Sequence, residues 1–213
     1  GMPYTCLLSQ KHPQIYVTLW GSASVLVLDL TLETTLASIA VGPHPNDMVE
    51  SPDGARLFVA NANENAVSVI DLASQKVTET VVSSLAPDAL PGSTPNSVAL
   101  SADGTTLYIA NADNNFVAVM DVASRGRSRA LGFIPTGWYP SCVRVNRATG
   151  DIIVANTKGN SSLANPRGPI PGHRTKDEQY IGSLLKGTLE LVKRPSSDEL
   201  RAYTAQVYGN SPY

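Results

Sequence analysis

The feature that most constrains the fold is an internal repeat. Residues 51–72 read SPDGARLFVANANENAVSVIDL, and residues 101–122 return to the same pattern as SADGTTLYIANADNNFVAVMDV. Repeats at a spacing of about 40–50 residues indicate supersecondary units that stack, because one such unit cannot bury its apolar face alone. The chain is therefore expected to be built from copies of one small unit.

The repeat extends to four ungapped frames, which begin at Pro3, Pro45, Pro95 and Pro140. Their starts lie 42, 50 and 45 residues apart. In each frame an apolar stretch follows the proline, and in the second and third frames a Ser-x-Asp-Gly sequence then favours a tight turn. A second apolar stretch ends in Asn in the last three frames, and a third is apolar at nearly every position, which is typical of a sheet covered on both faces.

Four short antiparallel strands in each unit, covered on both faces, describe the blade of a β-propeller. We therefore predict an all-β fold, a partial β-propeller of about four four-stranded antiparallel blades that start near residues 3, 45, 95 and 140. A helical solenoid would show a 3.6-residue period, and an immunoglobulin-like sandwich does not repeat its own sequence.

The fourth unit departs from the pattern. Residues 158–180 are rich in glycine and proline, which predicts an insertion that builds no core of its own. The stretch from Gly187 to Val192 resumes the third-strand position, and the sequence Ser196-Ser197-Asp198-Glu199 is a helix-capping box. The predicted organisation is a propeller over 3–194 and a C-terminal α-helix with its tail over 195–213.

Composition excludes several classes of protein. The formal net charge of −2 gives no basic footprint, so strong non-specific nucleic-acid binding is not expected. No run of eighteen apolar residues predicts a membrane span, and the N-terminus lacks the features of a signal peptide. Cys6 and Cys142 sit at different offsets in their frames, so we interpret them as small buried hydrophobes rather than a disulfide.

The loops that enter each first strand and those that join the second and third strands are expected to share one face of a propeller. This loop face is the predicted binding surface, since aromatic residues in exposed loops more often bind than pack. A competing interpretation treats each Asn as a turn former, His44 as an ordinary loop residue and Trp138 as a cap on the core. The predicted binding residues are His44, Asn46, Asn61, Asn96, Asn111, Trp138, Tyr139 and Asn156.

The sequence carries no recognisable catalytic or metal-binding motif. The three histidines lie in unrelated contexts and predict no metal site, and the twelve-residue calcium-loop pattern is absent. Neither cysteine has the motif of a nucleophile. We therefore expect no catalytic residue, no metal and no cofactor in this chain.

The end of each second strand resembles the signature of the YVTN family of β-propeller repeats. The tetrapeptides are YVTL at 16–19, FVAN at 58–61, YIAN at 108–111 and IVAN at 153–156. The segments GSTPNSVALSADGTTLYIANADNN, LGFIPTGWYPS and QYIGSLLKGTL resemble bacterial propellers fused to a phosphoesterase of the alkaline-phosphatase superfamily. The resemblance implies a catalytic domain after Tyr213, outside this chain, and a periplasmic or extracellular location.

These observations predict a non-catalytic recognition or scaffold module, a fragment of a larger protein that is not itself an enzyme and binds an unidentified protein or small molecule. One alternative is the accessory propeller of a phosphoesterase, and a second is single-stranded nucleic-acid binding, for which Trp138 and Tyr139 would be the stacking platform. An arc of four blades leaves two apolar end faces. We therefore expect a homodimer that joins its end blades into a pseudo-ring of about eight blades.

Overall fold

Each proline-led frame forms one antiparallel sheet in the computed structural model, which describes residues 1–161, 164–173 and 176–211. Strands follow one another from the inner to the outer edge of each sheet, so sequence neighbours pair throughout. Blade 1 contains β1 (Pro3–Leu8), β2 (Gln14–Leu19), β3 (Ser24–Asp29) and β4 (Thr34–Ala40), and blade 2 contains β5 (Pro45–Glu50), β6 (Arg56–Asn61), β7 (Ala66–Asp71) and β8 (Lys76–Val82).

The other two sheets belong to the third and fourth frames. Blade 3 contains β9 (Pro95–Leu100), β10 (Thr106–Asn111), β11 (Phe116–Asp121) and β12 (Arg129–Pro135), and blade 4 contains β13 (Trp138–Val145), β14 (Ile152–Gly159) and β15 (Thr188–Val192). The chain continues into α1 (Ser197–Asn210). The predicted partial all-β propeller of about four blades with a C-terminal helix is confirmed, although blade 4 has three strands within the described residues.

The Asp-Gly turns close the first two strands of blades 2 and 3 in the same way. The Asp53 carboxylate accepts a hydrogen bond from the Ser51 hydroxyl at 2.5 Å and from the Ala55 amide at 3.0 Å. Gly54 has a φ of +70°, a conformation that a side chain at this position would strain. Because the third frame repeats these residues, Asp103 makes the same two contacts in blade 3.

The core lies between neighbouring blades. Strand β6 is buried at every residue, and β7 and β11 are buried at all but their last residue, so both faces of these sheets are covered as the sequence predicted. Phe58 and Phe116 belong to one cluster between blades 2 and 3. Separate clusters join blade 1 to blade 2 and blade 3 to blade 4.

The helix packs on the outer edge of blade 3. Its N-terminus carries the predicted capping box of Ser196 and Glu199. The Thr204 hydroxyl accepts a hydrogen bond from the Phe133 amide of β12 at 2.9 Å, which satisfies a donor on an otherwise open strand edge. A Cβ added at Gly132 would stand 2.5 Å from the Thr204 hydroxyl oxygen, so a glycine here permits the close approach.

The insertion of 158–180 connects β14 to β15, and four of its residues, 162, 163, 174 and 175, lie outside the described residues. The tail ends in residues 212 and 213, which also lie outside them. The domain division at 194 and 195 stays a prediction. No helix among the described residues is long and apolar enough to cross a membrane.

Candidate functional site

The innermost strands of all four blades line one cleft near the axis of the arc. Its volume is about 290 Å³, and its walls come from β1, β5, β9 and β13, with Arg147 beyond the end of β13. The propeller arrangement places the first strand of every frame here, so each repeat contributes side chains to a single space. We call this space the axial cleft.

Asp47 is the acidic group of the axial cleft. One carboxylate oxygen accepts hydrogen bonds from the Ser97 hydroxyl at 2.6 Å, the Val98 amide at 3.1 Å and Nη1 of Arg144 at 3.2 Å. The pairing of β5 with β6 is irregular between Pro45 and Met48, and such irregularities re-aim side chains next to functional sites. Asp47 therefore links blade 2 to blades 3 and 4.

Arg144 is the cation that completes this network. Its Nη1 also donates to the Ser97 hydroxyl at 2.9 Å and to the Val143 carbonyl at 2.7 Å, while its side chain remains 56% exposed. Arg147 lines the same cleft, so the space holds two guanidinium groups beside one carboxylate. Guanidinium groups can bind an anionic or polarised oxygen, and a carboxylate can accept a proton from a bound water.

Two of the predicted binding residues stand beside this network. Asn46 is buried and donates from Nδ2 to Oδ1 of Asn96 at 2.7 Å. Its own Oδ1 accepts a hydrogen bond from the Asp47 amide at 2.8 Å. The pair therefore fixes the backbone of blades 2 and 3 where they enter the axial cleft.

The predicted aromatic residues lie at the loop face: His44 precedes β5, and Trp138 and Tyr139 are the first two residues of β13. The His44 ring stacks on Trp20 with centroids 3.7 Å apart and 12° between the planes, and His44 has a φ of +53°. Nζ of Lys158 lies 4.3 Å from the Tyr139 ring centroid, and the Tyr139 amide donates to Asn115 Oδ1. Burial, with the charges of Asp113 and Tyr4, raises the pKa of Tyr139. Trp138 is 43% exposed.

The remaining three predicted residues are buried on second strands: Asn61 and Asn111 end β6 and β10, and Asn156 lies three residues before the end of β14. Asn111 bonds Ser83 twice, donating to its carbonyl at 3.0 Å and accepting from its hydroxyl at 2.9 Å. Asn61 donates to the Ser68 hydroxyl at 3.0 Å, and Asn156 donates to the Thr188 hydroxyl at 3.3 Å. These asparagines tie strands and loops together, and none of them lines the axial cleft. As binding residues they stay a prediction.

The sequence reasoning missed Asp47, Ser97, Arg144 and Arg147. A signal was present, because the second residue after the opening proline is polar in the first three frames, where it is Thr5, Asp47 and Ser97. The expectation of a buried Cys6 was wrong, because Cys6 is exposed and lines the axial cleft. It lies on the inner strand of an end blade, which has a neighbouring blade on one side alone. Among the described residues, His, Cys, Asp and Glu form no group of three suited to a metal ion.

Comparison with known proteins gives one family match. The family described as "Lactonase, 7-bladed beta-propeller" matches residues 28–173. No curated protein sequence matches the chain.

Solved structures share the fold. Hydrazine synthase from Kuenenia stuttgartiensis is 22% identical, with a TM-score of 0.65, over 76% of this chain and 44% of that one. A protein from Bacteroides uniformis described as a 6-phosphogluconolactonase is 17% identical, with a TM-score of 0.64, over 73% of this chain and 47% of that one. The chain thus spans less than half the length of either structure.

The predicted non-catalytic module is wrong, and so is the expectation that this chain is not an enzyme. The match over 28–173 is to a family of enzymes, and nothing in the comparisons favours the phosphoesterase accessory or the nucleic-acid binder instead. The prediction rested on the absence of a contiguous catalytic motif in the sequence. The charged groups of the axial cleft come from separate repeats and are assembled by the fold alone.

Proposed function

The chain belongs to the family of seven-bladed β-propeller lactonases, and from that premise we propose that it hydrolyses a lactone in the axial cleft. The observation that carries the proposal is the Asp47–Ser97–Arg144 network, which places an acceptor and a cationic donor in one cleft. A cleft of about 290 Å³ lies near the lower end of the ~300–1,000 Å³ range of small-molecule sites, so a monocyclic ester fits it.

Hydrolysis of a lactone needs two kinds of assistance. Water adds to the carbonyl carbon, and the negative charge that develops on the carbonyl oxygen is stabilised by a guanidinium donor. The bond from the carbonyl carbon to the ring oxygen then breaks, the ring oxygen takes up a proton, and the product is a hydroxy acid. In the proposed site Arg144 donates to the carbonyl oxygen, and Asp47 accepts the proton of the attacking water.

Arg147 favours binding of an acidic substrate or product in the same cleft. Its guanidinium can pair with the carboxylate that ring opening creates. The likeness to a protein described as a 6-phosphogluconolactonase makes a phosphorylated sugar lactone a sensible first substrate to test beside simple ones.

The test is a kinetic assay on purified chain with γ-butyrolactone, glucono-δ-lactone and its 6-phosphate, corrected for spontaneous opening in buffer. Asp47→Asn should lower kcat by about 10²-fold or more if the carboxylate acts as a base. Arg144→Met should lower kcat by about 10²-fold if the guanidinium stabilises the oxyanion.

The matched control is the pair of Arg129 and Asp121, whose charged atoms lie 3.0 Å apart on the outer strands of blade 3. Asp121→Asn and Arg129→Met should leave kcat unchanged. A wild-type chain that opens none of the three lactones faster than buffer would refute the proposal, as would equal losses from the site and control variants.

We also propose that the chain forms the predicted homodimer through its end blades. On blade 4, Leu189 and Leu191 are 68% and 75% exposed and pair with Ala155 and Ile153, on the side opposite the residues that pack against blade 3. On blade 1, Leu8 is 60% exposed in register with Ile15. Multi-angle light scattering should give about twice the chain mass of 22.5 kDa, and a clean monomer at every concentration would contradict the dimer.

The finer resemblance to YVTN repeats and to propeller–phosphoesterase proteins supports a proposed periplasmic or extracellular location. The four tetrapeptides at the ends of the second strands carry that resemblance. Fractionation of the source cells, followed by detection with an antibody to this chain, tests it. Recovery of the protein solely with a cytoplasmic marker would overturn the proposal.

A further inference from the structure

A second cavity lies beside the long connection between blades 2 and 3, which we call the 83–94 loop. This connection has twelve residues, whereas the connections between blades 1 and 2 and between blades 3 and 4 have four and two. It explains why the second and third frames are 50 residues apart. A connection of twelve residues is longer than the roughly four to six usual between strands, and long surface loops often carry function.

The 83–94 loop is held in a defined shape. The side chain of Asn65 donates to the carbonyls of Ala89 and Leu90 and accepts from the amides of Gly92 and Ser93, so one residue fastens the far half of the loop. The near end is fixed by Asn111 through Ser83. A loop fixed in this way presents a preformed surface, and less ordering entropy is lost when a ligand binds.

The loop and the end of α1 enclose a cavity of about 420 Å³. Its walls are mainly apolar and include Leu85, Pro91 and the ring of Tyr208. The Tyr208 hydroxyl is already engaged with the Leu85 carbonyl at 3.0 Å, and the ring packs edge-on against Phe133. None of these residues belongs to the axial cleft.

Three polar groups of the cavity are left for a ligand. Ser93 is 4% exposed, and its hydroxyl makes no hydrogen bond within the part of the chain that the structure describes. Asp88 and Asn114 also line the cavity, and no bond of their side chains occurs among those described residues. Asp88 is the one charged residue of the lining, and it is acidic.

We propose that this cavity binds a small organic cation, an amine with an apolar body. The apolar walls take the body, the Asp88 carboxylate takes the ammonium group, and Ser93 and Asn114 supply acceptors for its remaining protons. An anion of the same shape is excluded, because it would face Asp88 without a compensating cation in the lining.

The test uses two probes of nearly the same shape, 2-phenylethylamine and 3-phenylpropionate, titrated into ¹⁵N-labelled chain and followed by amide chemical shifts. The amine should saturate with a dissociation constant of about 1 mM or tighter. Its shifts should be confined to the 83–94 loop, to the neighbourhood of Asn114 and to the end of α1, and the carboxylate should cause none there.

Asp88→Asn should weaken binding of the amine about fivefold or more, because a hydrogen bond to a charged acceptor becomes one to a neutral amide. Asp113→Asn is the control, since Asp113 is an exposed carboxylate next to Asn114 that does not line the cavity. Ala89→Phe, which fills the cavity, should abolish binding while the melting temperature is retained. Equal affinity for the two probes, equal effects of the two Asp variants, or unchanged binding after filling would each overturn the proposal.

Discussion

Asn61, Asn111 and Asn156, on the second strands of blades 2, 3 and 4, should differ in their contribution to stability, although they occupy equivalent positions in the sequence repeat. The experiment replaces each of the three asparagines by alanine. Asn111 is fully buried and makes two hydrogen bonds to Ser83. Asn61 and Asn156 each donate one side-chain hydrogen bond, and their Oδ1 atoms have no partner among the described residues. The expected order of destabilisation is Asn111, then Asn61, then Asn156.

The magnitudes follow from what each substitution leaves behind. Asn111→Ala leaves the buried Ser83 carbonyl without a hydrogen-bond donor, which should lower the free energy of unfolding by about 1–3 kcal/mol. The Ser83 hydroxyl still donates to the Asn65 carbonyl at 3.2 Å. Asn156→Ala removes a bond of 3.3 Å together with a buried amide oxygen that was unpaired, so it should cost about 1 kcal/mol or less. At about 2–4 °C per kcal/mol for a chain of this size, Asn111→Ala should lower the melting temperature by about 2–12 °C.

Urea unfolding followed by circular dichroism measures the free energies, with the exposed Asn63 replaced by alanine as the control that should change them by less than about 0.5 kcal/mol. The binding interpretation of the asparagines gives a different result. If Asn111→Ala unfolded like the wild type but lost lactone turnover, then Asn111 would be a ligand contact and the argument from its buried hydrogen bonds would be refuted.

Three further results are expected. Hydrogen bonds from Ser101 and Thr105 lower the pKa of Asp103 from 3.8 to about 2, so the carboxylate stabilises the fold fully above about pH 4 and loses this effect as the pH falls toward 2. In urea unfolding measured from pH 2 to 7, Asp103→Asn should therefore reduce the loss of stability between pH 4 and pH 2. An unaltered pH profile would contradict this expectation. Trypsin should cut first in the 158–180 insertion, at the exposed Arg167 and Lys176, and also at Arg174, which lies outside the described residues. Mass spectrometry of the early fragments identifies the cleavage sites. Protection of Arg167 and Lys176 would show that the insertion is held against the rest of the fold. Gly132→Ala should push α1 away from β12, because the new methyl group would meet Thr204 and Leu200. Amide hydrogen exchange over Ser197–Asn210 should then become faster. Unchanged exchange would show that the contact relaxes without displacing the helix.

The repeat predicted the fold because each frame contains its own local information. The Ser-x-Asp-Gly turn closes a hairpin, and the turn geometry sets the register of the first two strands. What the sequence did not predict depends on contacts between distant residues. The packing of α1 against blade 3 requires Thr204 to meet the edge of β12 beside Gly132, and no local pattern in either segment encodes that meeting.

The site shows the same division between local and distant information. Asn46 and Asn96 were predicted as binding residues, and they do lie beside the axial cleft because loop position follows from blade order. The charged residues near them, Asp47 and Arg144, were missed because catalytic motifs were sought among residues that are adjacent in sequence. A propeller brings the first strand of every repeat to one axis, so Asp47, Ser97 and Arg144 meet from three different frames, although Asp47 and Arg144 are 97 residues apart in sequence. In a repeat fold, comparing equal offsets of different frames therefore finds Thr5, Asp47 and Ser97, each two residues after the opening proline. Arg144 lies four residues after Pro140, so that comparison misses it and only the fold brings it to the same cleft.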